Sequence, residues 1–190
     1  MKDQGGVKER IMSTACRLFY EQGYQATGIN QIIEEAGIAK SSLYQHFASK
    51  ELLLNEYLIT RKAQWMEELI ATTEALPDGK EKLLAFFDYR IHNMEKHNFK
   101  GCTFSRVIYE LPNLSETSAD IIRKHKSAIK TFIQLQLRAI KDPYAEQEEM
   151  ADMIFNLSEG AIIQSTLSNS SKPMLDTKKS VSKLLTGIQI

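Results

Sequence analysis

The stretch TGINQIIEEAGIAKSSLYQHFASKELL, residues 27–53, predicts two short helices joined by a tight turn and followed directly by a third helix. The first helix is indicated by apolar residues at helical spacing, namely Ile29, Ile32, Ile33 and Ala36. Gly37 ends it, because glycine adopts the left-handed conformation that terminates many helices without steric cost. Leu43 and Phe47, four residues apart, form the inward face of the second helix, and Lys50 begins the third. This arrangement predicts a helix-turn-helix, whose second helix can enter the major groove of double-stranded DNA.

The residues on the outward side of this motif have the chemistry of DNA contacts. Lysine, serine and tyrosine side chains suit phosphate oxygens, and glutamine and histidine also reach base edges. A helix N-terminus that faces a phosphate adds backbone N–H donors and a favourable dipole. We therefore expect the DNA-binding residues to be Thr27, Gly28, Asn30, Lys40, Ser41, Ser42, Tyr44, Gln45, His46 and Lys50.

The charge distribution suits this role. The 190-residue chain has a formal net charge of +0, and residues 1–57 hold six lysines and arginines against seven acidic residues. Residues 39–50, however, contain Lys40, His46 and Lys50 and no acidic residue. Because DNA binding requires local positive charge that displaces counterions, and not a basic protein overall, a neutral chain is compatible with a DNA partner.

The composition predicts a globular protein that does not enter a membrane. Hydrophobic residues make up 43% of the chain and charged residues 25%, which are ordinary values for soluble domains. No stretch approaches the roughly 18 to 20 apolar residues of a membrane span, and MKDQGGVKER, residues 1–10, has no apolar signal core. Cys16 and Cys102 match no zinc or disulfide framework. We expect a cytoplasmic protein with reduced thiols and without a metal or cofactor.

Helical periodicity continues through the rest of the chain, so we expect an all-α protein of about nine helices. Glycine, proline and small polar residues predict the breaks between helices at 77–79 (PDG), 97–101 (HNFKG), 142–143 (DP) and 168–173 (SNSSKP). No phosphate-binding loop, nucleophile elbow or carboxylate pair at catalytic spacing is present. The sequence therefore favours a binding protein over an enzyme.

Residues 10–54 resemble the TetR family of transcriptional regulators. The resemblance is carried by the segments LFYEQGYQATGINQI, EEAGIAKSSLYQHF and SKELL. Gly28 and Ala39 depart from the family pattern, which usually has a hydroxyl residue at both positions. The missing hydroxyls remove either a helix cap, which contributes about 0.5–2 kcal/mol, or a phosphate contact. The expected hydroxyl contacts therefore shift to Thr27 and Ser41.

The resemblance implies a helix-turn-helix DNA-binding domain at residues 1–52 and a larger helical ligand-binding and dimerisation domain at residues 53–190. It implies a repressor that binds a palindromic DNA operator as a homodimer through its last two helices and is released by a small-molecule inducer. The alternative is a helical ligand-binding or interaction protein that has lost specific DNA binding. One apolar stripe either forms the dimer interface or only closes the subunit's own core: Met150, Met153, Ile154, Leu157, Ala161 and Ile162.

In a TetR-like protein the inducer pocket lies in the larger domain, and such pockets are mostly apolar with a few polar groups. We expect it to be lined by Trp65, Phe86, Tyr89, Arg90, Met94, Cys102, Phe104, Tyr109, Phe132 and Phe155. The alternative is that the aromatic and methionine side chains at helical spacing are core residues.

Cys102 follows a glycine and has Lys100, Arg106 and His97 nearby in the sequence. Cations lower a thiol pKa and raise its reactivity. The Gly-Cys pair resembles a subgroup of TetR-type regulators, some of which sense electrophiles or oxidants. The alternative is a buried, unreactive cysteine.

Overall fold

The computed structural model describes residues 6–140 and 147–187. Within these ranges the chain forms nine helices and no strand: α1 (Val7–Glu21), α2 (Ile29–Ala36), α3 (Lys40–His46), α4 (Lys50–Thr73), α5 (Lys80–Lys96), α6 (Thr103–Glu110), α7 (Glu116–Ala139), α8 (Gln147–Ser168) and α9 (Lys172–Leu184). The predicted all-α fold of about nine helices is confirmed. The break predicted at 142–143 lies outside the described residues. None of the helices in the two ranges is both long enough and apolar enough to cross a membrane.

The chain divides into two compact units that do not follow the sequence order. The first unit comprises Met1–Ala63 and Thr103–Arg123, and the second comprises Gln64–Cys102 and Lys124–Ile190. The first unit therefore contains α1 to α3, the start of α4, all of α6 and the start of α7. The functional division expected at residues 52 and 53 stays a prediction.

The first unit has a core built from one face of each of its helices. α1 contributes Ile11, Ala15, Leu18 and Phe19, and α2 contributes Ile32 and Ala36. Leu43 of α3 is fully buried, as are Leu53 and Leu54 of α4. These residues lie at the positions that helical spacing predicts, so burial of apolar side chains explains why such short helices are stable.

α6 is joined to the connection between α1 and α2 by hydrogen bonds. Nη1 of Arg106 donates to the carbonyl oxygen of Tyr20 at 2.8 Å. The backbone N–H of Gln25 donates to the Glu110 carboxylate at 3.0 Å, and the Gln25 amide donates to the Glu110 carbonyl oxygen at 3.0 Å. These contacts explain why α6, far along the sequence, belongs to the first unit.

The second unit has a larger aromatic and aliphatic core. Its fully buried residues include Leu83, Phe86 and Phe87 of α5 and Ile133 of α7. The inner face of α8 follows a helical spacing of three and four residues and comprises Ala151, Ile154, Ser158, Ala161 and Ser165.

Candidate functional site

The turn between α2 and α3 has the geometry that a helix-turn-helix requires. Gly37 adopts φ 61° and ψ 45°, in the left-handed region. The N–H of Ile38 then donates to the carbonyl oxygen of Ile33 at 3.2 Å, which closes the end of α2. Nη1 of Arg10 donates to the carbonyl oxygen of Ala36 at 3.3 Å. The direction of α3 is thus set by backbone geometry and by a side chain from α1.

Substitution of Gly37 tests this geometry. We expect Gly37→Ala to lower the free energy of unfolding by about 1 kcal/mol and Gly37→Val by about 2 kcal/mol, because both strain a left-handed residue. Gly37→Asn is expected to cost least, since asparagine tolerates this region. The nearest atom to an added Cβ is Arg10 Nη1 at 3.8 Å, an ordinary contact. If chemical denaturation gave the same loss of unfolding free energy for Gly37→Val and Gly37→Asn, backbone strain would not be the cause of the destabilisation.

Neither helix of the motif has a side-chain cap at its N-terminus. The N-cap of α2 is Gly28 and that of α3 is Ala39, and no side-chain cap hydrogen bond forms at either. The two positions at which this chain lacks the family's hydroxyl residue are therefore the N-caps of α2 and α3. Neither helix has an acidic residue in its first turn, so the backbone N–H groups of the α2 N-terminus remain favourable for a phosphate.

α3 separates apolar and polar side chains onto opposite faces. Leu43 and the following Phe47 are buried in the core of the first unit. The exposed side chains are Lys40, Ser41, Tyr44, Gln45 and His46, and Ser42 is half-buried. Gly28 and Asn30, at the start of α2, are also exposed.

Lys40, Ser41, Tyr44, Gln45 and His46 form what we call the outward face of α3. Across residues 6–140 and 147–187, no hydrogen bond or ion pair engages these five side chains. Charged residues of α1 and α2 behave differently, because Arg17 pairs with Glu21 at 3.0 Å and also with Glu35. The outward face therefore presents donors and acceptors that the fold does not use.

Two expected DNA contacts have other roles in the structure. Thr27 has 0% exposure, and its hydroxyl donates to the carbonyl oxygen of Gly23 at 2.6 Å and accepts from the Gln22 amide at 3.2 Å. The expectation of a phosphate contact from the Thr27 side chain is corrected, because the hydroxyl is enclosed and holds the connection between α1 and α2. Lys50 is half-buried, and its Nζ donates to the carbonyl oxygen of Tyr24 at 2.6 Å. Burial lowers the pKa of Lys50, and the Glu110 carboxylate partly opposes this shift.

Several of the expected ligand residues meet inside the second unit. The ring centre of Trp65 lies 6.4 Å from that of Phe86 and 5.1 Å from that of Tyr89. Phe132 lies 6.1 Å from Phe86, and Cζ of Arg90 lies 4.8 Å from the ring centre of Phe86. Met94 and Phe155 pack in the same hydrophobic core. These residues form an aromatic cluster around a guanidinium group.

Phe104 and Tyr109 belong to the first unit and not to this cluster. Phe104 is buried in the core of the first unit, whereas Tyr109 is 74% exposed. The expected ligand-binding set is therefore divided between the two units. Among the described residues, no group of His, Cys, Asp or Glu side chains is arranged to hold a metal ion.

A charged cluster that the sequence did not predict lies beside the aromatic residues. Nη2 of Arg90 donates to the Glu159 carboxylate at 2.9 Å, and Lys126 also pairs with Glu159. Burial would raise the pKa of Glu159, but Arg90 and Lys126 outweigh this and lower it. One sequence signal was available, because Glu159 is the single charged residue in the stretch 153–168. A lone charge in an apolar helix indicates a buried partner.

The two cysteines are expected to differ in reactivity. Burial raises the pKa of Cys16 to about 11, with a smaller lowering by Arg61 and a smaller raising by Glu56. Cys102 is half-buried, and Nζ of Lys126 lies 3.5 Å from its Sγ. Because the thiolate is the reactive form, we expect N-ethylmaleimide at pH 7.5 to label Cys102 about tenfold faster than Cys16.

Mass spectrometry of partially labelled protein measures the two labelling rates, and the Cys16→Ser and Cys102→Ser variants assign each one. Labelling of Cys16 is expected to keep accelerating with rising pH until the pH approaches the pKa of about 11. Faster labelling of Cys16 than of Cys102 at pH 7.5 would contradict the expected order.

Comparisons with known proteins agree with this geometry. Residues 11–57 match the family model of bacterial regulatory proteins of the tetR family. The uncharacterized HTH-type transcriptional regulator YxaF of Bacillus subtilis is 31% identical over 186 residues, which cover 92% of this chain and 93% of that protein. The HTH-type transcriptional regulator LmrA of the same organism is 28% identical over 183 residues, covering 95% and 97%. The crystal structure of SCO4454, a TetR-family regulator from Streptomyces coelicolor, has the same fold, with a TM-score of 0.85 at 21% identity over 95% of this chain and 96% of that chain.

Proposed function

Since the chain belongs to the TetR family and is a DNA-binding transcriptional regulator, we propose that it is a cytoplasmic repressor. It binds a palindromic operator as a homodimer and is released by a small-molecule inducer. The observation that carries this proposal is the outward face of α3, which is exposed, lacks acidic residues and has no partners among the described residues.

The DNA contacts are assigned by chemistry and exposure. Lys40, Ser41 and Tyr44 bind phosphate oxygens, and Gln45 and His46 read base edges in the major groove. Gly28 and Asn30 at the start of α2, together with Ser42 and Lys50, supply further backbone and side-chain donors that fix the position of α3 on the DNA. In this assignment residues 1–52 bind DNA, and residues 53–190 bind the ligand and form the dimer.

The outer face of α8 supports the proposed homodimer. It carries Met153, Leu157, Gly160, Gln164 and Leu167, at successive spacings of four, three, four and three residues. Leu157 is 42% exposed and Leu167 is 80% exposed. An added Cβ at Gly160 would meet nothing within 4 Å, which leaves room for the close approach of another helix. Apolar residues with few charges are typical of the centre of a homodimer interface.

The apolar stripe on α8, predicted either to form the dimer interface or to close the subunit's own core, contains residues of both kinds. Ile154 and Ala161 are buried in the core of their own unit, whereas Met153 and Leu157 are exposed on the opposite side. Of these four residues, Met153 and Leu157 therefore support the dimer proposal. Leu175 of α9 is a further exposed apolar residue, at 40%.

Induction follows if the ligand prefers a conformation whose DNA-reading helices do not match the operator. Such a ligand shifts the population away from the DNA-binding state only to the extent of its differential affinity for the two states. Deletion of the gene tests the direction of control. Transcription from promoters whose DNA the protein protects from nuclease is expected to rise, and a fall would indicate an activator.

A further inference from the structure

Arg90 is a buried cation with unused hydrogen-bonding capacity. Its side chain is 4% exposed, and Nη2 donates to Glu159. Nε and Nη1 are buried and have no hydrogen-bond partner. Buried polar groups in proteins nearly always have a partner, because desolvation without a hydrogen bond is costly. Two nitrogens of one guanidinium, which together carry three N–H groups, therefore remain for an acceptor.

Arg90 shares the carboxylate of Glu159 with a second cation. Arg90 and Lys126 both form ion pairs with Glu159, and these two cations lower the pKa of Glu159 against the effect of burial. Glu159 therefore divides its negative charge between two cations, and it leaves Nε and Nη1 of Arg90 without an acceptor.

Glu68, which contacts the aromatic cluster through Tyr89, is engaged by residues other than Arg90. It accepts a hydrogen bond from the Tyr89 hydroxyl at 3.0 Å and lies 3.8 Å from Lys96. Its side chain is 45% exposed, so solvent screens its charge. Glu68 therefore does not serve as the acceptor for the remaining nitrogens of Arg90.

Two aromatic rings lie close to the Arg90 guanidinium. Cζ lies 4.8 Å from the ring centre of Phe86 and 5.9 Å from that of Trp65. Aromatic rings at these distances stabilise the cation and leave an apolar environment for whatever the remaining nitrogens bind. The Arg90 guanidinium would repel a cationic ligand, and its free N–H groups bind an anionic oxygen more strongly than a neutral one.

We infer that Arg90 recognises the anionic oxygen of a small organic acid with a flat apolar body, and that such monoanions are the inducer class. This inference rests on the proposed function, because it identifies the ligand by its chemistry. Charge-assisted hydrogen bonds from a guanidinium to an oxyanion are among the strongest available to a protein.

Benzoate and benzamide test this inference, because they share shape and differ in charge. Trp65 is the single tryptophan of the chain, so its fluorescence reports on the site. Benzoate is expected to change this fluorescence in a saturable manner, and benzamide is not. Arg90→Gln is expected to weaken benzoate binding at least tenfold. Glu159→Gln is expected to tighten it several-fold, since it removes the competing anion.

The two variants are expected to change benzoate affinity in opposite directions, which distinguishes ligand recognition from a purely structural role of the ion pair. If Arg90→Gln does not fold, Glu159→Gln still tests the inference. Unchanged or weaker benzoate binding by Glu159→Gln overturns it. Equal responses to benzoate and benzamide, or no saturable response to benzoate, also overturn it. Operator binding by the same samples without benzoate tests the proposed function separately. Operator binding without a charge-dependent response contradicts only the ligand class, whereas absence of operator binding contradicts the proposed function.

Discussion

Replacing Lys40 and Tyr44 together by alanine is expected to weaken operator binding at least 100-fold and to leave the fold intact. Both side chains are exposed, and neither has a partner among the residues that the structure describes, so their removal costs the folded protein little. Each contact to a charged phosphate contributes on the order of 1 kcal/mol. A dimer presents each contact twice, so the loss is about 4 kcal/mol, or roughly a factor of 1000.

Tyr109→Ala is the matched control for this variant. Tyr109 is also an exposed tyrosine of the first unit but lies on α6, so operator affinity without ligand is expected to be unchanged. Lys40→Ala alone is expected to reduce the slope of log affinity against log salt by about 2 per dimer, because each lost phosphate contact releases about 0.9 fewer counterions. Equal losses in the Lys40/Tyr44 variant and in Tyr109→Ala would show that α3 is not the reading helix.

Leu157→Glu is expected to convert the dimer into a monomer and, through that, to abolish specific operator binding. In a two-fold interface each substitution occurs on both copies, so two carboxylates are forced into an apolar contact. A monomer presents one α3 to one half-site, and specificity that depends on two half-sites is lost. Light scattering measures the mass, and fluorescence anisotropy with labelled operator measures the affinity.

Leu135→Glu provides a control for the general effect of a new surface charge. Leu135 of α7 is 54% exposed and also lies in the second unit, but not on the proposed interface. This variant is expected to remain dimeric and to bind the operator like the wild type. A wild-type protein that is monomeric at micromolar concentration, or a Leu157→Glu variant that remains dimeric, would exclude the outer face of α8 as the interface.

Local signals in the sequence were sufficient to predict the helix-turn-helix. Gly37 was expected to adopt a left-handed conformation and has φ 61°. The helix expected between the PDG turn and the HNFKG segment is observed as α5, Lys80–Lys96. These features depend on residues within one or two helical turns of each other, and helical spacing and turn chemistry describe such short distances well.

Contacts between distant segments could not be predicted in this way. Arg90 and Glu159 are 69 residues apart, and Lys126 is 24 residues from Cys102. Thr27 was expected at the surface because it precedes a helix, but its hydroxyl is drawn inward by the carbonyl oxygen of Gly23. In each case the deciding partner is set by how helices pack, which the spacing of apolar residues within one helix does not specify.

Selection of bound sequences from a pool of random duplex DNA tests the central claim most directly, with the wild-type protein and the Lys40/Tyr44 double alanine variant compared at two salt concentrations. The expected result is enrichment of an inverted repeat by the wild type, with two chains per site, affinity that falls steeply with salt, and no enrichment by the variant. Failure of the wild type to enrich any sequence, or enrichment of the same repeat by the variant, would contradict DNA reading by the outward face of α3.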